Sequence, residues 1–231
     1  MTDARGAPSL NAMPRSGASP AQGRRYHHGD LRAALVDTAI ELIGERGVRN
    51  FSLAEASRRL GVAVSAPYAH FADRDALLAA VTVHAFETFA GELLPGLDAD
   101  QDPSARLAAM ARGYIRFAAS HRALFEVVYQ VGLDKARFPE IAAAEQPLND
   151  AFAACVTALS GHQTEADDLA TAVEATANGH AVFLLDGDFG SGQAAVDEAA
   201  DRAARATLAL IQGRQALRRT EPEIAAPPDP A

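Results

Sequence analysis

Tryptophan is absent from this chain of 231 residues, and cysteine occurs once, at Cys155. A lone thiol excludes an intrachain disulfide, and an unpaired one suits a reducing compartment. Long apolar runs are missing as well: "AVFLL", around residue 183, is typical and falls far below the roughly 20 residues that span a bilayer. Arg5 and Arg15 are followed by no continuous apolar segment before the first helical pattern, which argues against a secretory signal. Strand signals are scarce, because β-branched residues do not alternate with polar ones. These absences predict an all-α protein of the cytoplasm with no membrane partner.

Positive charge is also in short supply, with 21 Lys and Arg against 30 Asp and Glu and a net charge of −9. The deficit is uneven. Residues 1–80 carry 10 arginines against 8 acids, and the remaining 151 residues carry 11 basic against 22 acidic side chains. The N-terminal third is therefore the part suited to meet phosphate, although so weak an excess requires the placement of each charge to be argued.

A hydrophobic content of 48% is ample for a packed core. Residues 1–23 are rich in Ala, Gly, Pro and Ser without an apolar period, and are expected to be a disordered arm; residues 220–231 read as a tail of the same kind. Between them, Ala, Leu, Glu and Arg recur at helical spacing. The first helix is expected from about Asp30 to Arg46, with Leu31, Leu35, Ala39, Leu42 and Ile43 on one face and Gly47 as a left-handed cap. A second starts within "NFSLAEASRRLG", where Ser52 and Glu55 have capping-box spacing: the hydroxyl takes one free N–H and the carboxylate returns to another. Gly61 limits it to two turns. A third short helix begins near 63–65, with Pro67 in its first turn, and a long fourth follows from Asp73 or Asp75. Later helices are expected at about 103–120, 121–130, 138–160, 164–186 and 194–217. Domain bounds of 24–78 and 79–219 follow.

Two short helices on a longer one make a helix-turn-helix, whose second short helix enters the major groove. Ser57 supplies the small residue where the pair touches, Gly61 the permissive turn, and Leu60 and Val62 close the pair against Leu42 and Phe71. By period alone, an ordinary pair of structural helices is an equal reading.

From about Tyr26 to Val81 the chain resembles the DNA-binding domain of the TetR family of bacterial transcriptional regulators. The stretch "SLAEASRRLGVAVSAPYAHFADRDALLAAV" keeps that family's order, with Tyr68, His70 and Phe71, then a charged pair and a double leucine, as its most specific part. "YHHGDLRAAL", "LFEVVYQ", "FPEIAAA" and "FLLDGDF" further resemble the subgroup with a WHG-type C-terminal domain, although the namesake tryptophan is missing and Asn178 stands where the family histidine falls. The resemblance implies a homodimer that binds palindromic operator DNA, usually as a repressor, and a helical C-terminal domain that dimerises and binds a small-molecule effector. It implies phosphate contacts from Ser52, Tyr68, His70 and Arg74, and base contacts from Val64, Ser65 and Ala69.

Val64 to His70 contains no Lys or Arg, so sequence preference has to draw on weak contacts such as a valine on a thymine methyl. Arg24 and Arg25, with His27 and His28, form a short basic arm that can reach a minor groove; equally, "RRYHHGD" is a leader with Asp30 as N-cap. Arg58 and Arg59 read either as solvated or as phosphate-bound. Phe86, Phe89, Tyr114, Phe117, Phe125, Tyr129, Phe152 and Phe183 are candidates for an effector pocket, with plain core packing as the other reading.

Dimerisation is expected through helices 164–186 and 194–217, whose Ala-rich faces suit a four-helix arrangement. "DGDFGSGQAAVD" resembles a calcium loop, but Ser191 holds the sixth place, which requires glycine, so a helix-ending loop is expected. His84, His121, His162 and His180 lack partners at metal spacing, and Cys155 lacks a base, so no metal, cofactor or enzymatic activity is expected. Two alternatives stay open: a DNA-binding protein without a small effector, and a helical ligand- or protein-binding module that no longer binds DNA.

Overall fold

The computed structural model describes residues 28–98 and 100–217, and these form eight α-helices joined by short turns, with no strand among them. They are α1 (His28–Arg46), α2 (Leu53–Leu60), α3 (Arg74–Leu93), α4 (Pro103–Ser120), α5 (Arg122–Gln130), α6 (Pro139–Leu159), α7 (Gln163–Asp186) and α8 (Gln193–Gly213). The expected arm and tail, including Arg24 and Arg25, lie outside the described residues.

The apolar face expected of α1 is the one that packs: Leu35, Ala39, Leu42 and Ile43 are at most 1% exposed. Around them a first core joins α2 and α3 through Leu53, Ala56, Phe71, Leu77, Leu78 and Val81, and reaches Phe117, Leu124 and Val127 of α4 and α5. This core is therefore continuous between the N-terminal helices and the helices behind them. A second core between α3, α4, α6 and α7 holds Leu107, Leu148, Val156, Leu169 and Cys155, whose thiol burial pushes up from its ordinary value. A third joins α4, α7 and α8.

One helix ran counter to expectation in type. Where a third short α-helix was expected, the chain makes a 3-10 turn over Ala66–Ala69. Pro67 has no N–H to give, and its neighbours bond three residues back: Ala66 N–H to Ala63 O at 2.9 Å and Tyr68 N–H to Ser65 O at 3.2 Å.

By length and composition α3 is the one described helix that could cross a membrane; here Leu77, Leu78, Val81 and Ala85 are packed away instead. Its first turn is fixed by Asp73, whose carboxylate accepts the Ala76 N–H at 2.9 Å and pairs with Arg137. Those two contacts, the backbone N–H first, hold the Asp73 carboxyl below its ordinary value. The loop with the calcium-like spacing ends α7: Gly187, at φ 91°, donates to Leu184 O, and Asp188 N–H reaches Phe183 O.

Candidate nucleic-acid interface and ligand cavity

The N-terminal helices carry the candidate reading head, whose parts follow from local chemistry. Ser52 sits in extended backbone at the start of α2 and its Oγ accepts the Glu55 N–H at 3.2 Å. The reciprocal half of the expected capping box is replaced: the Glu55 carboxylate turns to Arg58, and to Arg46 at 3.5 Å, because two guanidinium groups lie within its reach. With its oxygen engaged, the Ser52 hydroxyl keeps its proton for an outside acceptor. Ser57 is fully buried, its Oγ donating to Leu53 O at 2.9 Å, and Gly61 closes α2 at φ 68°. A bulkier residue at Ser57 would push the following segment outward.

That segment turns its apolar side in and the candidate contacts out. Pro67 and Phe71 are buried, whereas Val64 is 53% exposed, Tyr68 57%, and Ser65 and Ala69 are also exposed; His70 is half-buried. Val64, Ser65, Tyr68 and Ala69 thus stand together on one open face with Ser52 at the neighbouring helix start. Arg74 is placed differently: its Nε donates to Phe51 O at 3.1 Å and its Nη2 to Val48 O at 2.5 Å, which ties the α1–α2 connection to the head of α3. Arg59 is held by Glu45 through two hydrogen bonds of 2.6 and 2.7 Å, and Arg58 by Glu55. Among the described residues of this region, Arg32 and Arg49 carry no ion pair; Arg32 lies over the Phe71 ring at 5.2 Å. Neither was singled out by sequence, since an arginine's availability depends on which acids fold beside it.

Behind the reading head, α3 to α7 enclose a cavity of about 430 Å³. Seven of the eight candidate aromatics line it: Phe86, Phe89, Tyr114, Phe117, Phe125, Tyr129 and Phe152. Phe183 does not; it lies on the outer side of α7 and is 54% exposed. Tyr114, Phe125 and Tyr129 form a ring cluster with centroids 5.7, 5.9 and 4.7 Å apart. The Tyr114 hydroxyl donates to Asn178 Oδ1 at 3.2 Å, and burial, then the neighbouring Tyr129, pushes its ionisation up, so it stays a neutral donor. Asn178, the residue standing at the family histidine's place, is therefore part of the wall.

Sequence reasoning missed the other polar lining groups, Glu145, Asn149 and Glu174. A signal was present: Glu145, Asn149 and Phe152 recur at i, i+4 and i+7 along α6, as do Glu174 and Asn178 at i and i+4 along α7. Glu145 is paired with Lys135. Burial, and second the Glu145 charge, holds the Glu174 carboxyl above its ordinary value.

The reading head and the cavity together bear comparison with known proteins. Residues 35–81 match the family described as bacterial regulatory proteins of the tetR family, and residues 107–207 match the tetracyclin repressor-like C-terminal domain. No curated protein matches the chain. Among solved structures, a protein of unknown function from Rhodococcus sp. RHA1 is 30% identical, with 79% of this chain and 97% of that one covered and a TM-score of 0.62. AibR, solved in complex with isovaleryl coenzyme A and operator DNA, is 18% identical over 75% of this chain and 95% of its own, with a TM-score of 0.58. RolR, solved with resorcinol, is 23% identical over 86% and 98%, with a TM-score of 0.53. With both domains matched in order and a 30% identical relative spanned almost end to end, the chain belongs to the TetR family of bacterial transcriptional regulators.

Proposed function

We propose that this regulator is a repressor that binds a palindromic operator as a homodimer in the cytoplasm and is released when a small-molecule effector enters the cavity. The observation that carries the reading is the open face of Val64, Ser65, Tyr68 and Ala69, held outward by the burial of Pro67 and Phe71. Val64, Ser65 and Ala69 meet base edges; the Ser52 hydroxyl, Tyr68 and His70 meet phosphate, and the N-terminus of α2 adds its dipole. Arg74 acts from behind, holding two carbonyls of the α1–α2 connection. Arg24 and Arg25 supply a basic arm to the adjacent minor groove. The dimer forms through α7 and α8. Five of the eight alanines of α8 are spent inside the chain, so the contact draws on what α7 leaves outside, Val182 and Phe183 among them. The aromatic cavity supports the effector, and it favours this reading over an effector-free regulator. AibR and RolR, each solved with a small molecule, are relatives in which such a fold holds one.

A gel-shift titration against the DNA upstream of the protein's own coding region tests the proposal. Saturable binding that weakens steeply with added salt is expected, with two subunits per site. Weak binding, equal on every sequence, overturns it.

A further inference from the structure

We propose that the cavity selects a hydrophobic monocation, a protonated or quaternary amine carried on an apolar body, with Glu174 as its counter-ion. The inference rests on the reading of this cavity as the effector site and names the chemistry of its occupant. Among the described residues that line the cavity, the charged side chains are Glu145 and Glu174, with no Lys, Arg or His. Glu145 is already neutralised by Lys135, whereas Glu174 forms no ion pair among the described residues. A carboxylate or phosphate on the ligand would meet a negative charge that has no ion-pair partner, and a neutral ligand seated there would displace water from that carboxylate without replacing it. A cation matches that charge.

The walls agree. Tyr114, Phe125 and Tyr129 line the same volume as a ring cluster, and an aromatic face attracts a cation that has shed its water. Tyr129, 50% exposed, and Glu174, also exposed, place this polar side toward the mouth, while Leu107 and Phe117 line the buried interior. A ligand is thereby oriented, with its apolar body inward and its charged head at Glu174. The raised carboxyl of Glu174 adds a condition: the cation's advantage weakens as pH falls through that group's range and the carboxyl takes up a proton.

Three ligands with one ten-carbon chain and different heads decide the matter: decyltrimethylammonium, 1-decanol and decyl sulfate, titrated below their micellar range into the full-length protein by calorimetry. The ammonium is expected to bind at least tenfold more tightly than the alcohol, with the sulfate weakest. Glu174→Gln should bring the ammonium down to the level of the alcohol and leave the alcohol unchanged, which also shows that the variant's cavity is intact. Sulfate binding equal to or tighter than ammonium, no binding of any of the three, or an ammonium preference that survives Glu174→Gln overturns the proposal. The operator gel shift, run beside the calorimetry, separates the two readings. Ammonium preference with an operator complex that ignores the ligand keeps the ligand class and sinks effector release. Release by the sulfate alone keeps effector control and sinks the cation.

Discussion

Arg74 illustrates how a single residue's role depends on what folds beside it. Its place at the head of α3, in a chain poor in positive charge, reads as a phosphate contact. The fold spends two of its nitrogens on the α1–α2 connection: on Phe51 O, and on Val48 O, which already accepts the Phe51 N–H at a long 3.4 Å. Hydrogen bonds from a charged donor typically contribute roughly 1.5–3 kcal/mol, and their loss leaves both carbonyls without this donor. Arg74→Ala should therefore lower unfolding stability by about 1–3 kcal/mol, measured by urea denaturation, with little change in the salt slope of operator binding. A slope reduced by about one charge with stability intact would return Arg74 to the phosphate.

At the scale of elements, much was legible because helix ends carry their own chemistry. Ser52 and Asp73 as N-caps and Gly61 and Gly187 in the left-handed region mark ends that the sequence announces; Gly47, expected as a left-handed cap, instead pairs a φ of 78° with an extended ψ of 156°, because the chain turns straight into the 3-10 turn of Val48–Asn50. What it conceals is which faces meet. The alanine stripe of α8 reads as a surface for a second subunit, yet Ala199, Ala200, Ala203 and Ala204 are fully buried, because α4 and α7 of the same chain come close enough to cover them. The polar lining of the cavity was hidden for the same reason: periodicity places Glu174 and Asn178 on one face of α7 but does not say that α4 to α6 lie opposite. Pro67 gave a helix its position and the fold gave it its 3-10 form. Gly61 supports a direct test. Space around it is open, so Gly61→Ala meets no clash and costs only the left-handed backbone, about 1 kcal/mol. For a chain of this size a fall in Tm of roughly 2–4 °C is expected by calorimetry, with Gly61→Asn milder. An unchanged Tm for the alanine variant would mean that this turn relaxes out of the left-handed region.

Across the whole molecule, the cavity and the reading head are joined by α5. This helix contributes Phe125, Val128 and Tyr129 to the cavity wall, and from the same two turns Glu126 Oε1 accepts the Val48 N–H at 2.9 Å. The carbonyl of the same residue, Val48, is one that Arg74 holds, so a shift of α5 would pull on the α1–α2 connection and, through Arg74, on the start of α3. The first core, running without a break from α1 to Val127, makes such a shift discrete rather than diffuse. A ligand changes operator affinity only by its differential affinity for the two arrangements, so the link matters only if it differs between them. Glu126→Ala should accordingly leave ligand-free operator binding within a few-fold of the wild type but cut the ligand-induced loss of binding by about tenfold, roughly 1.4 kcal/mol of coupling. Glu126→Gln, which keeps an oxygen acceptor for Val48, should retain most of the response. Gel shifts with and without a saturating cavity ligand measure both quantities, and a full response in Glu126→Ala would move the coupling route away from α5 and onto α3, which also lines the cavity through Phe86 and Phe89.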